Sequence, residues 1–351
     1  MNARPEKILA LQFKYFGDAV LLTPALRALR GQFPEAELHL LVPEEAAPLF
    51  QPLPWLDQVW PMPRQRGRAD IFETAPIIYT LRRERFDRSV DFASNDRGAI
   101  LSFLIGAKRR LGWAERGGFI GRKFLYTDRV VPEKNPPHES LRLAQLLSGW
   151  QIPVPGLLAL EAELHADILL AEAARKILPD ERAVICHVAS SQPKKEWPLA
   201  HWVKLNRLAA ADGMRLVFTT ARGEREVALM AELRKLARDA VILPQIAELP
   251  LFLAVLARAQ AFVSGDTGPL HFAAGLGVPT ISLFGPTPPA RWAPLGKSHQ
   301  ILTCGPCGCD GHSAACTAPR HCLALISPEQ VLAALRRIPA RNANIPVQKV
   351  S

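Results

Sequence analysis

From residue 183 to residue 285 the chain alternates short apolar runs with longer amphipathic ones. This rhythm constrains the fold more than any other feature. AVICHV (183–188), MRLVFTT (214–220), AVILP (240–244), AFVSGD (261–266) and PTISLFG (279–285) are strand-length apolar runs. Between them, residues 199–213, 223–239, 248–259 and 268–277 space their apolar side chains as helices do. Strands separated by helices of this length are parallel βαβ units. The first half opens the same way, with the apolar run KILALQF (7–13), the loop KYFGD (14–18) and a helical pattern over 19–33. ELHLLV (37–42) and RSVDFAS (88–94) read as further strands. The proline-rich stretch 43–70 predicts surface loops and turns, and a second proline-rich connection at 130–139 precedes a helix from about Ser140.

A composition shift over QIPVPGLLALEAELHAD (151–167) marks the break between domains. We therefore expect a Rossmann-like domain over 1–165, a second over 166–340, and a loose tail over 341–351. A length of 351 residues suits two domains at roughly 150 residues each. Doubly wound sheets bind ligands at the carboxyl ends of their strands.

Hydrophobic residues make up 48% and charged residues 22%, which excludes disorder, collagen and coiled coil as whole-chain descriptions. No apolar run approaches the ~18 residues of a membrane span, and the first residues do not read as a signal peptide, so a cytoplasmic setting is expected. The net charge is +10, and residues 64–129 hold fifteen basic against eight acidic residues. Such a surplus favours an anionic partner, whether nucleic acid, anionic lipid or a phosphorylated sugar, or it is simply a solvated face. The glycine-rich turns and the lack of an aromatic-interleaved basic platform argue against nucleic acid.

Three stretches carry chemistry. In FGDAVLLTPALRAL, Gly17 lets a ligand approach the backbone, and Asp18 is placed either to take a proton from an acceptor hydroxyl or to cap the helix. In HVASSQPKKEWPLAHW, Ser190, Ser191 and Lys195 precede a helix and form either an anion site with Lys195 on phosphate or a solvated basic loop. In FVSGDTGPLHFAAGLG, Asp266, Thr267 and Gly268 join a strand to a helix, where backbone N–H groups suit a pyrophosphate and Asp266 suits sugar hydroxyls. His271, one turn further on, receives no proton-transfer role. None of these is a GxGxxG or P-loop signature.

Together with Lys195-Glu196-Trp197-Pro198 and Phe284-Gly285-Pro286-Thr287, these stretches resemble glycosyltransferase family 9, the heptosyltransferases of lipopolysaccharide core synthesis, over about residues 7–335. The resemblance implies an α/β GT-B fold, two Rossmann-like domains facing a central cleft, with ADP-heptose bound by the second. It implies an inverting transfer that needs no metal cofactor, onto an anionic lipid-linked saccharide at the cytoplasmic face of the inner membrane. By position, Asp18 matches the family's general base and Lys195 the residue that neutralises the donor phosphates. Glu224 matches the ribose-binding carboxylate, Ala247 and Leu249 the adenine-contacting turn, and Asp266 to Gly268 the sugar and phosphate contacts. In the basic first half, Gly17, Arg109 and Arg110 are candidates for the acceptor, with Arg82, Arg83, Lys108, Arg122 and Lys123 adding to the surplus.

Five of the six cysteines lie between Cys304 and Cys322, whereas Cys186 sits in an apolar strand as a small core residue. Cys304, Cys307, Cys316 and Cys322 have a spacing that can hold structural zinc or iron. Free thiols and local disulfides are the alternatives. Another nucleotide sugar, a protein acceptor, or a non-enzymatic nucleic-acid- or metal-binding role are the competing functions.

Overall fold

The structure is a computed structural model. It describes residues 4–13, 16–63, 71–114, 118–133, 138–305 and 321–339. The chain forms two compact units that divide after Leu164.

The first unit runs β1 (Lys7–Leu11), α1 (Phe16–Val20), α2 (Thr23–Gln32), β2 (Glu37–Pro43), β3 (Gln58–Met62), α3 (Ile71–Arg83), β4 (Arg88–Asp91), α4 (Asp96–Ile105), β5 (Arg109–Trp113), β6 (Asp128–Val130) and α5 (Glu139–Gln145). Its six strands pair in the order β3-β2-β1-β4-β5-β6, all parallel. The second unit runs α6 (Ala171–Ile177), β7 (Val184–His187), α7 (Leu199–Ala211), β8 (Leu216–Thr219), α8 (Glu224–Leu236), β9 (Val241–Ile242), α9 (Leu249–Ala257), β10 (Ala261–Gly265), α10 (Gly268–Gly275), β11 (Thr280–Phe284), α11 (Pro289–Trp292), β12 (His299–Thr303) and α12 (Pro328–Arg336). Its order, β12-β11-β10-β7-β8-β9, is again all parallel and has the same connectivity. These are the two Rossmann-like halves of the GT-B class.

The strand sequences explain the parallel sheets. Every residue of β7, β8, β10 and β11 is buried, as expected where helices cover both faces of a sheet. In the second unit the rings of Trp197 and Trp202 meet edge to face at 4.8 Å, and Trp202 meets Phe218 at 6.2 Å. In the first unit Leu9, Leu11, Leu41, Leu81, Phe86 and Leu101 share one cluster.

One expectation is overturned. The stretch 43–70 is not only loops, since it contains β3, with Pro61 inside the strand. Proline removes a ladder donor, and β3 tolerates it because it stands at the sheet edge.

In each sheet the winding reverses beside the first strand, between β1 and β4 and between β7 and β10. The carboxyl ends of those four strands are where such sheets hold ligands.

Candidate functional site

In the second unit, β7 runs into the loop that carries the Lys-Glu-Trp-Pro motif. Trp197 is buried, and its Nε1–H donates to the Ile326 carbonyl at 2.9 Å, so the indole pins the end of the loop. Glu196 accepts the Ser190 N–H at 2.8 Å and the Arg225 guanidinium at 2.7 and 2.9 Å. Arg225 also donates to the Ser190 carbonyl, closing the loop into a braced arch. The arch sets Lys195 Nζ 2.8 Å from Asp266 Oδ2, just beyond β10. Gly265 makes the approach possible, because a Cβ there would lie 2.5 Å from the Lys195 carbonyl oxygen.

Beyond Asp266, Thr267 stands in extended conformation before α10, and its hydroxyl is buried without a hydrogen-bond partner. The Thr220 and Thr287 hydroxyls and the Gln192 side-chain oxygen are also buried and unpartnered. These residues follow β10, β8, β11 and β7, which are neighbouring strands. A buried, unsatisfied polar group costs about 1–3 kcal/mol, so four at one sheet end mark where a ligand's polar atoms belong. Beside them opens a cavity of about 310 Å³ lined by Thr220, Val227, Met230, Ile242, Leu243 and Gln245, of a size that takes a nucleobase.

The structure thus brings Ser190, Lys195 and Asp266 to Gly268 to one sheet end, with Ser191 exposed on the same loop. Glu224 begins α8, whose Val227 and Met230 line the cavity, and its side chain is exposed. Ala247 and Leu249 flank the start of α9, and the wall of the cavity comes instead from 242–245. His271 is buried within α10. His187 is a core group, stacked 6.3 Å from Phe262, and burial pushes its pKa down to about 4. Burial pushes the Cys186 thiol up, in keeping with an inert core cysteine.

In the first unit, Gly17 and Asp18 lie on α1, immediately after β1. The Asp18 side chain is outside the described residues. Next to β1, β4 ends at Asp91, a fully buried carboxyl that burial pushes up to about 6. Asp91 accepts the Tyr126 hydroxyl at 2.6 Å and the Ala93 N–H at 2.9 Å, which folds the chain into α4. Asn95 caps that helix by accepting the Gly98 N–H at 2.8 Å. Arg97 follows on the first turn, and no sequence signal singles it out. Its Nε and Nη2 are buried with no hydrogen-bond partner, its Cζ lies 5.4 Å from the Phe13 ring centroid, and burial lowers its pKa. A half-buried guanidinium with two nitrogens shut off from water and, among the described residues, no counterion is a seat for an anion.

Arg109 and Arg110 open β5, at the end opposite the strand carboxyl termini, so the structure does not bring them to this site. Arg109 holds Asp128 at 2.7 Å, and Arg110 donates to the Leu125 and Ala107 carbonyls at 2.7 and 2.8 Å. Of the proposed metal ligands, Cys307 and Cys316 lie outside the described residues. Cys304 reaches the Phe284 carbonyl at 3.8 Å, and Cys322 is buried. Among the described residues no group of three His, Cys, Asp or Glu is arranged to hold a metal.

The profile of "Glycosyltransferase family 9 (heptosyltransferase)" matches residues 75–315. Lipopolysaccharide heptosyltransferase 2 of Escherichia coli (strain K12) is 25% identical over 311 residues, covering 84% of this chain and 87% of its own. Among solved structures, a glycosyl transferase family 9 protein from Veillonella parvula superposes with a TM-score of 0.80 at 17% identity, over 96% of this chain and 98% of its own. The E. coli heptosyltransferase WaaC with ADP-2-deoxy-2-fluoro heptose superposes with a TM-score of 0.71 at 21% identity, over 94% of this chain and 99% of its own.

Proposed function

The chain belongs to glycosyltransferase family 9, and from that premise we propose that it transfers heptose from ADP-heptose to an anionic lipopolysaccharide inner-core acceptor, inverting the anomeric carbon without a catalytic metal. The observation that carries this reading is the Lys195–Asp266 pair, at 2.8 Å, set among unpartnered threonine hydroxyls at one sheet end. A diphosphate there meets the Lys195 cation and the N-terminal end of α10, which together take up the charge that builds on departing ADP. Asp266, released from Lys195, is free to accept the hydroxyls of the sugar. The cavity between α8 and residues 242–245 suits the adenine, and Glu224 at the head of α8 suits the ribose.

On the acceptor side, Asp18 is the base. It takes the proton of the attacking hydroxyl while the new C–O bond forms at the anomeric carbon and the bond to the phosphate oxygen breaks. Arg97 receives an anionic group of the acceptor, the counterion its burial demands. Such an acceptor is lipid-linked and places the enzyme at the cytoplasmic face of the inner membrane.

The test is mass spectrometry of ADP-heptose incubated with a panel of truncated core acceptors. We expect one acceptor to gain a single heptose and ADP to be released. No transfer to any acceptor, together with no affinity for ADP, overturns the reading. Asp18→Ala is expected to lower turnover by about 10²–10⁴ while ADP affinity stays within about twofold. Near-normal turnover of that variant removes Asp18 from the chemistry.

A further inference from the structure

Helix α4 reads DRGAILSFLI, and after its first two residues Ser102 is its one polar side chain. Such a helix belongs in an interior. Ala99, Leu101 and Ile105 do pack inward, but Ile100 and Phe103 are left exposed. The exposure continues into the neighbouring elements. The turn 118–121 runs Gly-Phe-Ile-Gly, and its two glycines adopt φ of +75° and +102°, which leaves Phe119 and Ile120 at the tip. Ile120 is fully exposed, and the following Phe124 is 70% exposed. Arg122 reaches Asp96 at 3.4 Å and fastens this turn to the start of α4. Arg82, on α3, donates to the Leu104 carbonyl at 2.9 Å and ties the end of that helix, with its exposed Tyr79, to the end of α4.

Apart from Asp96, which Arg122 meets, the charges named on this face are positive. Lys123 lies 5.2 Å from the Phe124 ring centroid, Arg110 lies 5.5 Å from that of Phe103, and Arg83 lies 5.8 Å from that of Tyr79. Among the described residues, Arg82, Arg83, Arg110 and Lys123 pair with no carboxylate. An apolar surface in which the rings of Tyr79, Phe103 and Phe124 each lie beside a cation matches the boundary between acyl chains and anionic headgroups, where rings enter the apolar layer and cations stay at the charged one. A protein partner that covered this face would bury unpaired cations against apolar rings, which a bilayer edge avoids.

We propose that the outer face of α4, the 118–125 turn and the end of α3 form a docking surface for an anionic lipid bilayer. The inference deepens the reading of a lipid-linked acceptor and rests on it for its biological sense. Asp96, which anchors the turn, adjoins Arg97, so the docking face lies next to the anion seat of the same unit.

The test is sedimentation of the full chain with vesicles of phosphatidylglycerol and phosphatidylethanolamine in equal parts, and with vesicles of phosphatidylcholine alone. The chain should pellet with the first and remain in solution with the second. Replacing both Ile120→Glu and Phe124→Glu should lower partitioning by about tenfold or more, and Lys123→Glu by about fivefold. Both apolar residues are exposed, so the variant should keep its fold, checked by an unchanged thermal shift with ADP. A wild-type chain that ignores anionic vesicles, or a double variant that pellets as well as wild type, overturns the proposal. So does light scattering that shows a dimer which the double variant abolishes, since a second copy would then cover the face. Partitioning is read without donor or acceptor, so its failure and a failure of the transferase reading are separate results.

Discussion

Arg97 and Asp91 sit a few residues apart, yet burial acts on them in opposite ways. Asp91 meets desolvation by holding its proton more tightly, up to about pH 6. Its folded pKa lies above the ordinary carboxylate value, so between about pH 4 and pH 6 the folded chain binds a proton that the unfolded chain has shed. Asp91 therefore lowers stability as pH rises through that window, by on the order of 3 kcal/mol. Replacing Asp91→Asn should remove this slope, and the wild-type-minus-variant difference in unfolding free energy should fall between pH 4 and 6 and then level off. Urea unfolding at a series of pH values checks it. Arg97 cannot shed its charge and keeps an unsatisfied cation. Arg97→Met should raise the melting temperature by about 2 °C, since a half-buried charge with two unpartnered nitrogens is removed, while the acceptor KM rises about tenfold or more and ADP affinity holds. A structural arginine would instead lower the melting temperature and leave the KM unchanged. Neither residue was visible in the sequence, where Arg97 is one cation in a basic stretch and only folding strips away its partners.

At the scale of elements, the arch between β7 and α7 shows how a short motif becomes a machine part. Trp197 anchors it, Glu196 and Arg225 brace it, and Gly265 leaves room for it. Gly265→Ala should push the Lys195 carbonyl outward and weaken ADP binding about tenfold, measured by calorimetry, with a loss of about 1–3 kcal/mol of stability from overpacking. An unchanged ADP affinity would mean that the arch position is immaterial to the donor. Lys195, Trp197 and Asp266 could be picked out of the sequence because their order along the chain is itself the signal. Arg225 could not, because its partner lies on another element. The strands divide in the same way. β7, β8, β10 and β11 are unbroken apolar runs and were legible. β3 carries Pro61, β5 opens with two arginines and β12 begins His-Gln, so edge or solvated positions hid their periodicity. Arg109 and Arg110 misled for a related reason, since sequence shows that they are basic but not which end of the strand they occupy.

For the whole molecule, the transfer reading makes charge neutralisation a property of side chains and backbone. Activity should therefore persist in excess EDTA, followed by the same mass-spectrometric assay. Loss that magnesium or manganese specifically restores would sink this. Among the described residues no helix is long and apolar enough to cross a membrane, and the docking face proposed around α4 would need none.

The strand orders also set a timetable. β1 has its partner β4 near residue 90, and β7 must wait for β10 near residue 262. The pairing on which each candidate ligand site depends is thus deferred until about half of its unit has been made. Helices can form on the emerging chain, but Lys195 cannot meet Asp266 until some seventy residues more have been made. On the proposed reading a nascent chain cannot capture nucleotide until four of the six strands of its second sheet have been made, and during synthesis its half-built apolar strands are exposed to aggregation with other chains for that interval.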